Sequence, residues 1–343
     1  MTASPSSLKP LAGQTAWIFS DGKAGHEAQC LGVVEALGVA AEIKRVQPAG
    51  IFKLMAPWGP VAPSEGFGRA GSAFGPPWPA LAFATGRTTI PYLRALRRQA
   101  GVATYTVILM DPRTGTNSAD LIWVPEHDRR RGPNVLSTLT APHRYSPQRL
   151  ATLRAQMPSA IAALPTPRVA CLIGGPNGDY RYDDADEARL ADALGAIANQ
   201  GFSLMITASR RTPDRLVARI KDAVGDAKAY FWDGSGSNPY PEFLAHADVF
   251  MITADSVSMT CEAAATGRPI YVFTPSGGSA KFDRFHAALA SQGVTRQLPP
   301  PGAPIEMWSY EPLHSADVIA AEIARRWQRR ANLLPGLMAQ ASR

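Results

Sequence analysis

Asp255, Ser256 and Ser258 place three oxygen-bearing side chains in a turn that enters a helix, within a segment, 252–273, that reads as strand, polar turn, helix, glycine stop and strand. A helix start offers unpaired backbone N–H groups and the positive end of the helix dipole, so such a turn suits a phosphate. With the helix beginning at Ser256, Ser258 and Glu262 are four apart and share a face. One can then meet a phosphate while the other reaches sugar hydroxyls, and Met259 stands on the same turn. This is the chemistry of a nucleotide-sugar grip.

Three further groups in the second half carry similar residue types: Gly174, Gly175, Asn177 and Tyr180; Ser209, Arg210 and Arg211; Asn238, Pro239 and Tyr240. Glycines permit close backbone approach, adjacent arginines neutralise a diphosphate through forked hydrogen bonds, and a carboxylate accepts from ribose. Taken singly, each has a plainer reading: a turn, a solvated surface pair, an ordinary cap. Their recurrence on one expected sheet edge is what favours a donor site. The first half offers Asp21, Lys23 and His26 in one loop, then Thr85, Gly86 and Arg87, then Met110 to Arg113, then Glu126, His127 and Asp128. His26 suits a general base near neutral pH, with Asp21 or Glu126 as its carboxylate; the plainer reading is a helix-start residue bonded to backbone. Contiguous residues on extended chain do not point the same way, so Glu126 to Asp128 is not read as a metal site and no metal is expected. The patterns of a P-loop, a dinucleotide-binding glycine turn and a G-x-S-x-G nucleophile elbow are absent.

These residues need elements to position them. In the first half, 16–20, 42–47, 80–85, 104–110 and 120–124 read as strands, with helices from the His26 loop to about 37 and over 92–100. In the second half, 169–173, 203–207, 227–232 and 249–252 read as strands, with helices over 184–199, 213–224 and 241–247. Alternating strands and helices predict parallel sheets covered on both faces, with ligands at the carboxyl ends of the strands. The segment 49–79, rich in Gly and Pro, is expected to be irregular, either covering the sheet or forming an acceptor-binding or membrane-touching flap. Prolines 158, 165 and 167 mark the expected linker. The division is therefore 12–160, an N-terminal Rossmann-like domain; 166–314, a C-terminal Rossmann-like domain carrying the donor-site groups; and 315–343, a basic helix and tail. The helix, about 316–331, is amphipathic and either packs back on the first domain or touches anionic lipid.

A length of 343 residues favours two domains. Lys and Arg number 35 against 28 Asp and Glu, a net charge of +7, which favours anionic partners. The basic residues form no long tail and no nucleic-acid-reading module, so nucleic acid is not expected. Cys30, Cys171 and Cys261 are far apart and read as buried, reduced thiols of a cytoplasmic protein. Residues 1–11 lack a signal-peptide pattern, and no apolar run has membrane-spanning length.

Six motifs in order carry a family resemblance: Ser20-Asp21-Gly22-Lys23-Ala24-Gly25-His26, Leu109-Met110-Asp111-Pro112, Val124-Pro125-Glu126-His127-Asp128, Gly174-Gly175-Pro176-Asn177, Ser209-Arg210-Arg211-Thr212-Pro213 and Thr253-Ala254-Asp255-Ser256-Val257-Ser258-Met259. Together they resemble the mitochondrial fission elongated-mitochondria family in its bacterial branch, over roughly 17–293 with nothing matched in 49–79. The resemblance implies the two-domain GT-B-like glycosyltransferase architecture. In it the C-terminal domain holds the nucleotide sugar and the N-terminal domain the acceptor, across a cleft. It also implies a link, in the plant member, to recruiting a dynamin-related protein to mitochondria.

The resulting expectation is a metal-independent glycosyltransferase with no cofactor, the nucleotide sugar being its substrate. Gly175, Asn177, Ser209, Arg210, Ser256 and Ser258 would hold the diphosphate, and Glu262 the ribose. His26 or Asp21 would deprotonate an acceptor, a lipid-linked one among the candidates, on the inner face of a membrane. The alternatives are a non-catalytic peripheral membrane adaptor and a nucleotide-sugar epimerase.

Overall fold

The computed structural model describes residues 11–225 and 228–341, with side-chain surroundings to residue 332; residues 1–10, where most of the signal-peptide reading falls, and 226–227, where the expected strand 227–232 begins, lie outside them. The described residues form two compact units, one within 11–144 and 314–341 and the other within 145–313. The crossing at 144 lies ahead of the proline-rich segment, because the helices on either side of Pro158 pack in the second unit.

In the first unit the elements are β1 (Thr15–Ser20), α1 (Ala24–Leu37), β2 (Ala40–Arg45), α2 (Gly50–Met55), β3 (Leu81–Thr85), α3 (Ile90–Ala100), β4 (Tyr105–Leu109), β5 (Leu121–Pro125) and β6 (Val135–Thr138). The strands are parallel in the order β2-β1-β3-β4-β5-β6. Strands β3, β4 and β5 are buried throughout, as expected for a parallel sheet with helices on both faces. Alternate residues feed two cores: Ile18, Phe83, Val107 and Trp123 face α1, while Phe19, Ala84, Ile108 and Val124 face α3.

The second unit runs α4 (Pro147–Arg154), α5 (Ser159–Ala162), β7 (Arg168–Ile173), α6 (Asp184–Asn199), β8 (Ser203–Ala208), α7 (Asp214–Val224), β9 (Ala229–Phe231), α8 (Tyr240–His246), β10 (Val249–Thr253), α9 (Val257–Ala264), β11 (Ile270–Phe273), α10 (Ala280–Ser291) and β12 (Thr295–Gln297). Its parallel order is β12-β11-β10-β7-β8-β9. The chain winds outward from β7 through β8 to β9, then returns to the other side of β7 and winds outward again. That reversal opens a crevice between the carboxyl ends of β7 and β10, and the order of the first unit opens one between β1 and β3.

The last helix, α11 (Ser315–Ala341), returns to the first unit: Ile319, Ala320, Ile323 and Ala324 are buried in one core with Cys30, Val33 and Val34 of α1. Packing is thus the use of its apolar face over 319–324. Three of its arginines are paired, Arg325 and Arg326 with Glu322 and Arg330 with Asp120. All three cysteines are buried. Among the described residues no helix is long and apolar enough to cross a membrane.

The segment 49–79 is only partly irregular. It contains α2, whose last-turn carbonyls are held by a distant side chain, Arg87, at 3.3 Å from Leu54 O and 3.0 Å from Lys53 O. Nothing local announces that partner. Further along, Phe67, Phe74 and Trp78 pack with Trp17, Phe19 and Tyr92, covering one face of the sheet.

Candidate functional site

In the second unit the crevice is organised by one buried carboxylate. Asp255, just past β10, accepts from Tyr182 Oη at 2.6 Å, from Gly175 N at 3.0 Å and from Arg211 Nη2 at 3.0 Å. Arg211 also donates to the Gly175 carbonyl at 2.7 Å and the Pro176 carbonyl at 3.1 Å. Gly174 N donates to Thr253 Oγ1 at 2.7 Å. Three separate loops, after β7, β8 and β10, are locked together by these bonds. The glycine pair serves this close approach. A Cβ on Gly174 would sit 2.2 Å from Asp255 Oδ2, and one on Gly175 would sit 2.4 Å from the Arg211 backbone carbon. Gly174, Gly175, Arg211 and Asp255 are therefore the frame of the crevice.

With Asp255 turned inward, the start of α9 is open. Ser256 makes no capping hydrogen bond, and the N–H groups of Val257, Ser258 and Met259 have no protein acceptor among the described residues. Ordinary Ser or Asp capping is thus not what these residues do. Ser258 is exposed on the first turn, and Arg210 on the β8 loop is exposed with no hydrogen bond or ion pair among the described residues. A helix dipole, N–H groups without an acceptor and an uncommitted guanidinium are features that suit an anion. Two expected ligand residues form turns through their Oδ1 atoms: Asn177 Oδ1 accepts from Asp179 N and Tyr180 N, both at 2.8 Å, and Asn238 Oδ1 accepts from Tyr240 N at 3.0 Å. Ser209 likewise accepts from Arg211 N at 3.2 Å.

Glu262 lies farther along α9 and accepts from the Tyr240 hydroxyl. Burial pushes its carboxyl up to about 7, outweighing the opposing effect of that hydrogen bond. Between its ordinary value near 4.5 and about 7 the folded state holds a proton that the unfolded chain has released, so this group makes stability fall as pH rises through that window. Glu262→Gln should flatten the decline. Urea midpoints at pH 5 and pH 8 would read it, and an equal decline in both proteins would remove the assignment.

Sequence reasoning missed Tyr182 and His286, and gave Thr253 no role beyond its place in a motif. His286, on α10, donates from Nε2 to the Ala254 carbonyl at 2.8 Å and steadies the turn before α9. It also missed the Ser276–Gly277–Gly278 loop after β11. That loop pairs with the β7 loop through Tyr180 and Gly277, Arg181 N to Ser276 O at 2.8 Å, and Gly278 N to Asp179 O at 2.8 Å. Its Gly-Gly pair, leading into α10, was the available signal.

In the first unit the crevice between β1 and β3 holds a dyad. His26 Nδ1 lies 3.0 Å from Asp21 Oδ1 and 3.2 Å from Oδ2, and Lys23 Nζ lies 3.4 Å from Oδ2. Burial acts to raise the Asp21 carboxyl, but the hydrogen bonds and charges of His26 and Lys23 outweigh it and hold it below the ordinary value. An ionised Asp21 accepts a hydrogen bond from Nδ1–H, which leaves Nε2 as the nitrogen with the free lone pair. Gly86, after β3, closes over the pair with φ +87°, and a Cβ there would meet His26 Nδ1 at 2.8 Å. Ser20 Oγ donates to Glu27, fixing the loop's other side. Glu126 is not part of this group. It follows β5, three strands from β1 and so about 14 Å away along the sheet edge. Asp21 is the carboxylate on His26.

A model of the family described as Mitochondrial fission ELM1 matches residues 24–327. Mitochondrial fission protein ELM1 of Arabidopsis thaliana is 28% identical over 383 aligned positions, covering 90% of each chain. A Rickettsia prowazekii protein is 34% identical over 157 residues, 44% of each chain. Among solved structures, UDP-GlcNAc 2-epimerase from Neisseria meningitidis, bound to UDP-GlcNAc, superposes with a TM-score of 0.50 at 11% identity, covering 91% of this chain and 99% of that one. At that identity the likeness is one of fold, the two-domain GT-B-like α/β architecture.

Proposed function

The chain belongs to the mitochondrial fission ELM1 family, and from that premise we propose that it binds a nucleoside-diphosphate sugar in its second unit and transfers the sugar to an acceptor hydroxyl held by its first. The observation that carries this reading is the open start of α9 at the β7–β10 crevice. Its N–H groups point to an anion, and the Asp255 frame holds them there without neutralising them. The fold's use by an enzyme with bound UDP-GlcNAc is an analogy that agrees with it.

In this reading the diphosphate lies on Val257, Ser258 and Met259 N–H, with Arg210 on its flank and Glu262 toward the ribose. The acceptor oxygen attacks the anomeric carbon as its proton passes to His26 Nε2. The bond from that carbon to the diphosphate oxygen breaks, and the electron pair leaves with the nucleoside diphosphate. Positive charge from Arg210 and the helix start stabilises the leaving group without a metal.

Arg210→Ala tests the donor half. Losing one charge-assisted contact should weaken nucleotide-sugar binding by roughly tenfold or more in calorimetric titration. Thermal stability should stay within about a degree or two, because Arg210 is exposed and pairs with nothing among the described residues. Unchanged affinity would exclude Arg210 from the site.

The family's link to mitochondrial fission also supports an adaptor that keeps the fold without the reaction. An epimerase, by contrast, would convert a nucleotide sugar with no acceptor present. Product analysis with a single nucleotide sugar separates the three: a transferred sugar, an isomerised one, or neither.

A further inference from the structure

Four of the nine large apolar side chains left exposed among the described residues lie within eight positions: Ile51 at 61% exposure, Leu54 at 76%, Met55 at 37% and Trp58 at 63%. Ile51, Leu54 and Met55 share a face of α2, at spacings of three and four. Trp58 follows one turn on, its N–H bonded to the Met55 carbonyl at 3.0 Å. The stripe is built rather than loose. Arg87 binds the carbonyls of Lys53, Leu54 and Ala56, the last at 2.8 Å, and Arg94 of α3 binds those of Pro57 and Trp58 at 3.0 and 2.8 Å.

Those bonds leave both arginines cationic, because carbonyls carry no compensating charge. Lys53 stands exposed between Ile51 and Leu54, and none of Lys53, Arg87 and Arg94 forms an ion pair with a carboxylate among the described residues. Clustered apolar side chains including a tryptophan, over cations without counter-charges, match an anionic phospholipid surface. The indole and aliphatic chains enter the headgroup boundary while the cations meet phosphate. We propose that residues 51–58 form a peripheral docking patch for an anionic lipid bilayer. The proposal does not rest on the transferase reading.

Cosedimentation of the full chain with vesicles tests it, comparing phosphatidylcholine alone with phosphatidylcholine plus phosphatidylglycerol. The chain should partition onto the anionic vesicles and be released by salt. Leu54→Ser with Trp58→Ser should lower the partition coefficient by more than about tenfold, and Lys53→Glu by roughly tenfold at low salt. Circular dichroism and urea unfolding of the same variants show that they are folded, and titration of nucleotide sugar reports separately on the donor site. Wild-type protein that ignores anionic vesicles would overturn the proposal, as would variants that partition like wild type. Self-association in light scattering, abolished by Leu54→Ser and Trp58→Ser without any vesicle binding, would make a second copy the occupant and overturn it too.

Discussion

Asp255→Ala should destabilise the second unit by about 3 kcal/mol, the largest stability loss expected of any single substitution around the crevice. The carboxylate is buried and accepts from Tyr182, Gly175 and Arg211. Removing it strands the Tyr182 hydroxyl and the Gly175 N–H away from water, each costing about 1–3 kcal/mol. Arg211 is 44% exposed and can rehydrate, which keeps the total near the lower end for a broken buried pair. Because three loops hang on this one group, the open start of α9 should lose its position and nucleotide-sugar binding should go with it. Urea unfolding of Asp255→Ala beside the exposed control Asp222→Ala reads the stability term. Equal midpoints would show that the frame is not held by Asp255.

His26→Ala should lower turnover by about 10²–10⁴-fold while leaving donor affinity in place. Its Nε2 is the basic nitrogen because Asp21 accepts at Nδ1, so Asp21→Asn should also slow turnover, by a smaller factor of about 10–100. The asparagine can still accept from Nδ1, but it no longer offers charge to the imidazolium that forms. Release of nucleoside diphosphate under saturating donor gives the rate, and calorimetry gives the affinity. A variant that turns over normally, or one that loses donor binding instead of rate, would remove the dyad from catalysis.

The alternation of apolar runs with helical periods was enough to read two parallel-sheet halves, and it placed the chemistry at strand ends because loops there carry the polar residues. What local pattern could not reveal was which polar residues face each other. Asp255 and Arg211 look like ligands for a phosphate in isolation; in the folded chain they satisfy one another and the Gly175 backbone, leaving Arg210 as the uncommitted charge. Glu126 and His26 look equally able to pair until sheet order sets β5 three strands from β1. Short elements such as β6, β12 and α5 offer too few residues for a period to show. The helix inside 49–79, a segment expected to be irregular and read as a cover or a membrane-touching flap, escaped because α2 ends on carbonyls held by Arg87, more than thirty residues on.

The central claim is that the open start of α9 holds a diphosphate. A structure of this chain with a nucleoside-diphosphate sugar bound is the most direct measurement. It should place diphosphate oxygens within hydrogen-bond reach of Val257, Ser258 and Met259 N–H, with Arg210 alongside. A diphosphate seated elsewhere, or no binding of UDP-, GDP- or ADP-sugars by the folded protein, would contradict the account.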